Sequence, residues 1–137
     1  MSQENAEVVR RFIEALPRAQ ASGDWQPVLA EVGPAVEIED LDITLDTGHF
    51  SGQDSVRKWI GIWMESWESW RLEDVVVRPV GEDRAIGLFL VRAKGKGSGI
   101  ELSRPDALVC TLRSGKIEEV TYYNDQRQAL EAAGLSE

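Results

Sequence analysis

The stretch AIGLFLVRAKGKGSGIELSRPDALVCTLRSGKIEEVTYYN, residues 85–124, holds three apolar runs in a row, each with the length of a β-strand. With the run before it, the sequence predicts four strands, over residues 70–80, 85–94, 100–112 and 117–124. Their connections are short and contain glycine, so neighbouring strands form antiparallel hairpins and not crossovers. Pro105 has no amide proton, which predicts a bulge or an exposed edge at that point.

Helices are predicted before these strands. Apolar residues recur at helical spacing after Ser2, a residue that can cap a helix, and Ser22-Gly23-Asp24 ends the pattern. A short second helix runs from Trp25 to Val32 and ends at Gly33-Pro34. Residues 36–40 then alternate between apolar and acidic side chains, which predicts a first strand.

A loop is predicted over residues 47–52, and a helix begins near Gln53. The apolar face of this helix carries three tryptophans: Trp59, Trp63 and Trp67. Residues 126–133 predict a last helix. Helices on one face of an antiparallel sheet make an α+β domain. Residues 1–137 are therefore predicted to form one domain, a curved antiparallel sheet wrapped around three to four helices into a cone.

The charge balance excludes several classes of partner. The chain has 15 basic and 24 acidic side chains and a net charge of −9, which repels nucleic-acid phosphates and anionic membrane surfaces. No apolar run is long enough to span a bilayer, and the polar N-terminus lacks a signal-peptide core. Cys110 is the single cysteine, which favours the reducing cytoplasm. His49 is the single histidine, and one histidine with scattered acids predicts no metal site.

Short motifs follow one another along the chain: Gly23-Asp24-Trp25, residues 36–40, Phe50-Ser51-Gly52, residues 111–117, Tyr123-Asn124-Asp125 and residues 129–135. In this order and spacing they resemble the SnoaL-like branch of the nuclear transport factor 2-like superfamily, over essentially the whole chain. The resemblance implies a cone with a cavity for a small molecule. It implies no single activity, because this fold carries cyclases, isomerases, dehydratases, epoxide hydrolases and proteins without known chemistry.

Asp40 is the first candidate for chemistry. Alternation puts Val36, Ile38 and Asp40 on one face of their strand, and a buried carboxylate needs an explanation because its desolvation is costly. In the ketosteroid isomerases a similar Glu-Asp pair supplies the general base, and Asp40 matches that aspartate. The alternative is an exposed acid at a strand end, beside Asp42.

The rest of that isomerase site is missing. The resemblance implies a tyrosine on the first helix and an aspartic acid on a late strand, which together stabilise an enolate. The matching positions are Phe12 and Leu108, and neither can donate a hydrogen bond. Each missing donor costs on the order of 10²–10³ in rate, so steroid isomerisation by that mechanism is not expected.

The limonene-type epoxide hydrolases give a second comparison. They use an Arg-x-Asp pair on one strand and an aspartate on the last strand, and Arg104-Pro105-Asp106 is similar to that pair. It lies one strand too late, and the last-strand aspartate falls on Tyr122. The sequence does not support this mechanism, and it leaves Tyr122 as a candidate hydrogen-bond donor.

Asp125 has two interpretations. It matches an aspartate that polyketide cyclases of this branch use for proton transfer, and it can equally cap the last helix, because it directly precedes Gln126. For His49, a plain loop histidine and a secondary acid–base role are both open.

The tryptophan-rich helix is predicted to lie across the mouth of the cone. Indole rings at helical spacing are typical of a protein core, and they also suit an apolar ligand cavity with few polar groups. The residues predicted to contact a ligand are Trp63, Trp67, Trp59, Phe50, Phe12, Leu108 and Ile38.

Two functions are compatible with these features. The first is a cofactor-independent acid–base enzyme of the cyclase, isomerase or dehydratase type, acting on a small hydrophobic compound. Its candidate catalytic residues are Asp40, Tyr122 and Asp125, and it needs no metal or organic cofactor. The second is a non-catalytic ligand-binding or dimeric accessory protein that uses the same cavity.

The sheet also predicts an assembly. Apolar residues alternate on both of its faces, as in Leu88 and Leu90 against Phe89 and Val91, and Ile117 adds to the face away from the cavity. The helices are expected to cover only one face. The sequence therefore predicts a homodimer that packs sheet to sheet.

Overall fold

A computed structural model describes residues 2–41 and 48–135 of the chain. The helices within these ranges are α1 (Ser2–Ser22), α2 (Gln26–Leu29), α3 (Asp54–Trp63) and α4 (Gln126–Ala132). The strands are β1 (Val32–Asp40), β2 (His49–Ser51), β3 (Trp67–Val80), β4 (Arg84–Gly95), β5 (Glu101–Arg113) and β6 (Lys116–Tyr123). None of the helices described is both long and apolar enough to cross a lipid bilayer.

The strands form one curved sheet in the order β2-β1-β6-β5-β4-β3. Strands β3 to β6 are antiparallel neighbours, as their short connections predict, and the α+β class is confirmed. β1 lies parallel to β6 and antiparallel to β2. The pairing of β5 with β6 ends at Ala107 and Tyr123. Pro105, beyond that point, pairs only with β4 and is exposed, as predicted for a proline at an edge.

Two element boundaries differ from prediction near the first strand. β1 begins at Val32, so Gly33-Pro34 lies inside a strand and α2 ends at Leu29. The pairing with β6 explains this difference, because Val32 already lies opposite Ile117 and the register shifts before Glu37. This irregularity accommodates the proline within the strand.

Two further segments have a secondary structure that differs from the predicted one. Residues 49–51 were predicted as part of a loop, but they form β2 against β1; the predicted loop's Thr47 lies outside the described residues. Trp67 was predicted on the tryptophan helix, but α3 ends at Trp63, and Trp67 begins β3 opposite Gly95. Pairing with the neighbouring strand overrides the helical spacing at that point.

The main core lies between α1, α3 and one face of the sheet, which we call the inner face. Phe12 and Ile13 of α1 have no exposed surface. Gly87 on β4 lies beneath Ile13, where a Cβ atom would collide with the isoleucine side chain. The glycine therefore allows α1 to approach the sheet closely.

The outer face of the sheet is partly covered by α4. A second buried cluster forms there from Ile86, Ala107, Ala129 and Leu130. The expectation that the helices cover only one face is therefore wrong, because the chain returns across the outer side after β6. Ile117 was also assigned to the wrong face: a register shift between Thr111 and Leu112 turns it into the inner core, where it is fully buried.

Candidate functional site

A cavity lies between the inner face of the sheet and α3. It is lined by Leu16, Asp40, Trp59, Ile60, Trp63, Trp70, Leu72, Phe89, Leu108 and Tyr122. The centre of a water molecule can move through about 20 Å³ of it, which is room for one or two waters, since one water needs roughly 10–15 Å³ by the same measure. The lining is apolar apart from the Asp40 carboxylate, the Tyr122 hydroxyl and the indole N–H groups.

Asp40 ends β1 with its side chain in this cavity and is 7% exposed. The alternation of β1 turns it inward together with Val36 and Ile38, both fully buried. The indole Nε1–H of Trp59 donates a hydrogen bond to Asp40 Oδ2 over 2.7 Å. A neutral donor thus orients the carboxylate toward an apolar space, an environment in which a carboxylate can serve as a general base.

A second buried acid, Asp106 on β5, lies on the other side of β6 and has no exposed surface. Arg104 contacts both of its oxygens, through Nε at 2.6 Å and a terminal guanidinium nitrogen at 2.9 Å. Tyr122 Oη–H donates to Asp106 Oδ2 over 2.5 Å. Gln126 of α4 donates to the backbone carbonyl of Asp106 over 2.9 Å. Asp106 is therefore held from three directions.

Tyr122 lies between the two acids. Its neighbours in the sheet are Asp40 on β1 and Leu108 on β5. Burial raises the pKa of the Tyr122 phenol well above its ordinary value, and the nearby Asp106 and Asp40 carboxylates raise it further. The phenol therefore keeps its proton at neutral pH.

Sequence reasoning missed the part that Asp106 plays in this site. In the sequence, Asp106 stands out only as part of an Arg-x-Asp motif that lies one strand too late. The signal was present, because Asp106 is two residues from the predicted cavity residue Leu108 and alternation puts both on the same face. The structure turns both toward the inner face, where both are buried.

Trp63, which lines the cavity, carries an unusual polar atom. Its indole Nε1 is buried and, among the described residues, it is the one buried side-chain polar atom without a hydrogen-bond partner. A buried donor left unpaired costs about 1–3 kcal/mol. The ring packs against Trp67, with centroids 5.4 Å apart. A bound water or ligand acceptor that reached this atom would satisfy the N–H.

The structure brings together only part of the predicted contact set. Trp59, Trp63 and Leu108 line the cavity, whereas Phe12 and Ile38 are fully buried in the surrounding core. Trp67 and Phe50 also lie outside the described lining: Trp67 stacks on Trp63, and Phe50 on β2 packs against the edge of the core.

Asp125 and His49 both lie on the surface. Asp125 caps α4, because its Oδ1 accepts the backbone N–H groups of Arg127 at 2.8 Å and Gln128 at 3.4 Å, as its capping interpretation predicts. His49 Nε2 lies 2.8 Å from Glu37 Oε1, and the two side chains are 62% and 45% exposed.

Within the described residues, no three histidine, cysteine, aspartate or glutamate side chains converge in a way that would hold a metal ion. Cys110 is fully buried on β5, and burial raises the pKa of its thiol far above the ordinary value. It therefore behaves as a small core residue and not as a nucleophile.

No protein-family model and no curated protein matches the chain. Several solved structures are similar to the chain. A candidate polyketide cyclase from Xanthomonas campestris pv. campestris is 22% identical, with a TM-score of 0.73 over 96% of this chain and 98% of that one. A ketosteroid isomerase-like fold protein from Catenulispora acidiphila DSM 44928, in complex with trimethylamine, is 15% identical. Its TM-score is 0.71 over 95% of this chain and 94% of that one.

A third similar structure is TerC co-crystallised with polyporic acid, 15% identical, with a TM-score of 0.71 over 96% and 98% of the two chains. Other similar structures are SnoaL-like or nuclear transport factor 2-like proteins. At these identities the likeness establishes the fold. The chain has the nuclear transport factor 2-like fold of the SnoaL-like and ketosteroid isomerase-like proteins, as its sequence motifs predicted.

Proposed function

We propose that the protein binds a small, largely apolar carbonyl compound in the cone cavity and acts on it as a cofactor-independent acid–base catalyst. One observation carries this proposal: Asp40 and Trp63 line the same apolar cavity, and the buried N–H of Trp63 lacks a hydrogen-bond partner. The first is a base and the second is a donor that lacks an acceptor. Similar structures hold trimethylamine and polyporic acid, which supports a small-molecule ligand.

The chemistry that suits this pair is removal of a proton next to a carbonyl group. The ligand's carbonyl oxygen accepts the Trp63 N–H, and Asp40 takes a proton from the adjacent carbon to give an enolate and a carboxylic acid. The same acid then returns the proton to another atom, so no oxidant or metal is needed. Hydrogen bonding to the developing oxyanion lowers the barrier, although one indole donor contributes less than a complete oxyanion hole.

The size of the cavity sets a condition on this function. About 20 Å³ is far below the roughly 300–1,000 Å³ of typical ligand sites. Binding a ring-sized compound requires partly exposed aromatic side chains to move outward, and Trp63 at the end of α3 is the candidate. The small volume also favours a second function, an accessory protein of the same fold without catalysis.

The decisive experiment combines native mass spectrometry of the purified protein with a thermal-shift screen of small carbonyl compounds. A ligand at 100 times its Kd stabilises the fold by about 2.7 kcal/mol. Asp40→Asn should retain binding and lose turnover, whereas Glu39→Gln, the exposed neighbour on β1, should retain both. Turnover that survives in Asp40→Asn rules out Asp40 as the base. Binding without turnover in the unmodified protein favours the accessory function.

The same proposal includes a homodimer through the outer face of the sheet. α4 covers part of this face, but Val76 on β3 is 51% exposed, and its pairing partner Leu88 is only partly buried. Leu90 on β4 is also partly exposed. This apolar strip beside α4 suits a two-fold contact with a second copy, since such a contact is self-complementary.

Sedimentation at micromolar concentration tests the dimer. We expect a species of twice the 15.3 kDa chain mass, which Val76→Lys converts to monomer. Ile100→Lys is the matched control, because Ile100 is 67% exposed and lies in the connection between β4 and β5. A monomer before any substitution, or a dimer that both variants leave intact, contradicts the proposed interface.

A further inference from the structure

The hydrogen bonds around Tyr122 restrict what it can offer to a ligand. A phenol has one proton and two acceptor lone pairs. The Tyr122 hydroxyl lies 2.5 Å from Asp106 Oδ2, at the distance of a strong charge-assisted hydrogen bond. The tyrosine also lines the cavity. The direction of this one hydrogen bond therefore decides which part of the hydroxyl group faces the ligand.

The position of Arg104 settles that direction. Its guanidinium is always charged and contacts both oxygens of Asp106, at 2.6 Å and 2.9 Å. An ionised carboxylate is acceptor-only, so the shared proton belongs to Tyr122. A protonated Asp106 would weaken both charge-assisted hydrogen bonds to Arg104 at a carboxyl group that has no exposed surface, which is the costlier arrangement.

We propose that the Arg104–Asp106 pair fixes Tyr122 as a hydrogen-bond acceptor toward the cavity, so that a ligand must bring a hydroxyl or N–H group to it. Arg104 and Asp106 are positioning residues in this arrangement, because they act on the ligand only through Tyr122. The raised pKa of the phenol agrees with a neutral, proton-bearing Tyr122. The inference deepens the proposed function and depends on it for the existence of a ligand.

The polar pattern of the cavity then defines a ligand class. Tyr122 Oη and the Asp40 carboxylate are acceptors, and the Trp63 N–H is a donor that lacks a partner. A complementary ligand carries a hydroxyl or amine hydrogen at one position and a carbonyl oxygen at another. Compounds with a carbonyl group alone leave the Tyr122 lone pairs without a donor, so they are expected to bind less tightly.

The first test needs no ligand. The chain contains two tyrosines, so Tyr123→Phe makes Tyr122 the only one, and ring-labelled tyrosine isolates its infrared bands. The phenol C–O stretch moves in opposite directions when a hydroxyl donates and when it accepts. We expect the donor signature, which Asp106→Leu abolishes. An accepting phenol beside a protonated carboxylic acid overturns the inference.

The second test measures selectivity with two probes in the same Tyr123→Phe background. 4-Hydroxybenzaldehyde and 4-methoxybenzaldehyde share the carbonyl group, but at the second position the first can donate a hydrogen bond and the second can only accept one. We expect 4-hydroxybenzaldehyde to bind about tenfold more tightly, the ratio that corresponds to one hydrogen bond, and we expect Tyr122→Phe to remove this preference. In Asp106→Leu the Tyr122 hydroxyl can donate, and the preference should shift toward 4-methoxybenzaldehyde. If Asp106 had only a structural role, its replacement would weaken the binding of both probes equally.

Two further outcomes are informative. If Asp106→Leu does not fold, Arg104→Met/Asp106→Leu leaves no unpaired charge behind, and it should give the same shift in preference. If neither probe binds the Tyr123→Phe protein, the proposed ligand cavity fails, whereas the infrared signature still decides the direction of the Tyr122 hydrogen bond. If both probes bind equally while Tyr122 shows the donor signature, the proposed ligand selectivity is wrong, but the proposed ligand cavity is not contradicted.

Discussion

Two buried aspartates lie on opposite sides of β6, one on β1 and one on β5, and their surroundings differ in kind. Asp40 accepts a hydrogen bond from a neutral indole and faces an apolar cavity. Asp106 has no exposed surface and lies between a guanidinium and a phenol hydroxyl. Both contribute to the high pKa of Tyr122.

Because of this difference, the two aspartates are suited to different roles, one to proton transfer and the other to positioning. A carboxylate that forms two charge-assisted hydrogen bonds with an arginine and a third hydrogen bond with a phenol has little capacity left to take a proton from a ligand. Asp40 accepts a hydrogen bond from an indole and lines the cavity, so it is the acid placed to meet a ligand. The comparison therefore supports the proposed roles, with Asp40 as the base and Asp106 as the residue that orients Tyr122.

The largest effect should come from breaking the ion pair on the Asp106 side. Arg104→Met removes the guanidinium from a carboxylate with no exposed surface, which should lower the free energy of unfolding by about 3–5 kcal/mol. The double variant Arg104→Met/Asp106→Leu should recover most of that loss, because neither charge remains. Urea denaturation measures both variants. A double variant as unstable as the single one would contradict a buried, coupled pair.

A smaller effect should distinguish the two indoles that face the cavity. Trp59→Phe removes one hydrogen bond to Asp40 and should cost about 2–3 kcal/mol, because a hydrogen bond to a charged group and some packing are lost. Trp63→Phe removes an N–H that has no partner, so its cost should stay below about 1 kcal/mol. Thermal or urea unfolding of the two variants checks the difference. Equal costs would show that packing dominates and that the hydrogen bond to Asp40 contributes little.

The most gradual effect should be the decrease in the free energy of unfolding at alkaline pH. The folded state raises the pKa of Tyr122 above the unfolded value of about 10. The unfolded chain therefore loses this proton first, and stability falls as the pH rises above about 10, by up to about 1.4 kcal/mol per pH unit. Tyr122→Phe should have a shallower slope than the unmodified protein in urea titrations between pH 9 and 11. Parallel slopes would contradict the burial of the phenol.

The sequence predicted the architecture well because most of its signals are local. Apolar spacing located α1, and short glycine-containing connections identified the antiparallel strands β3 to β6. Alternation along β1 predicted that Asp40 shares the inward face of Val36 and Ile38, and the structure has that orientation. The capping position of Asp125 could likewise be predicted from its place just before the last helix.

What the sequence alone determined was therefore the class of fold, the cone and the face on which Asp40 lies, because periodicity is a property of neighbouring residues. The tertiary structure decided which strands lie side by side: β6 between β1 and β5, with Tyr122 next to Asp40 and in contact with Asp106. It also turned Ile117 inward and moved Trp67 into β3. Strand register depends on hydrogen bonds between residues far apart in the chain, and no local pattern encodes which of several strands will meet.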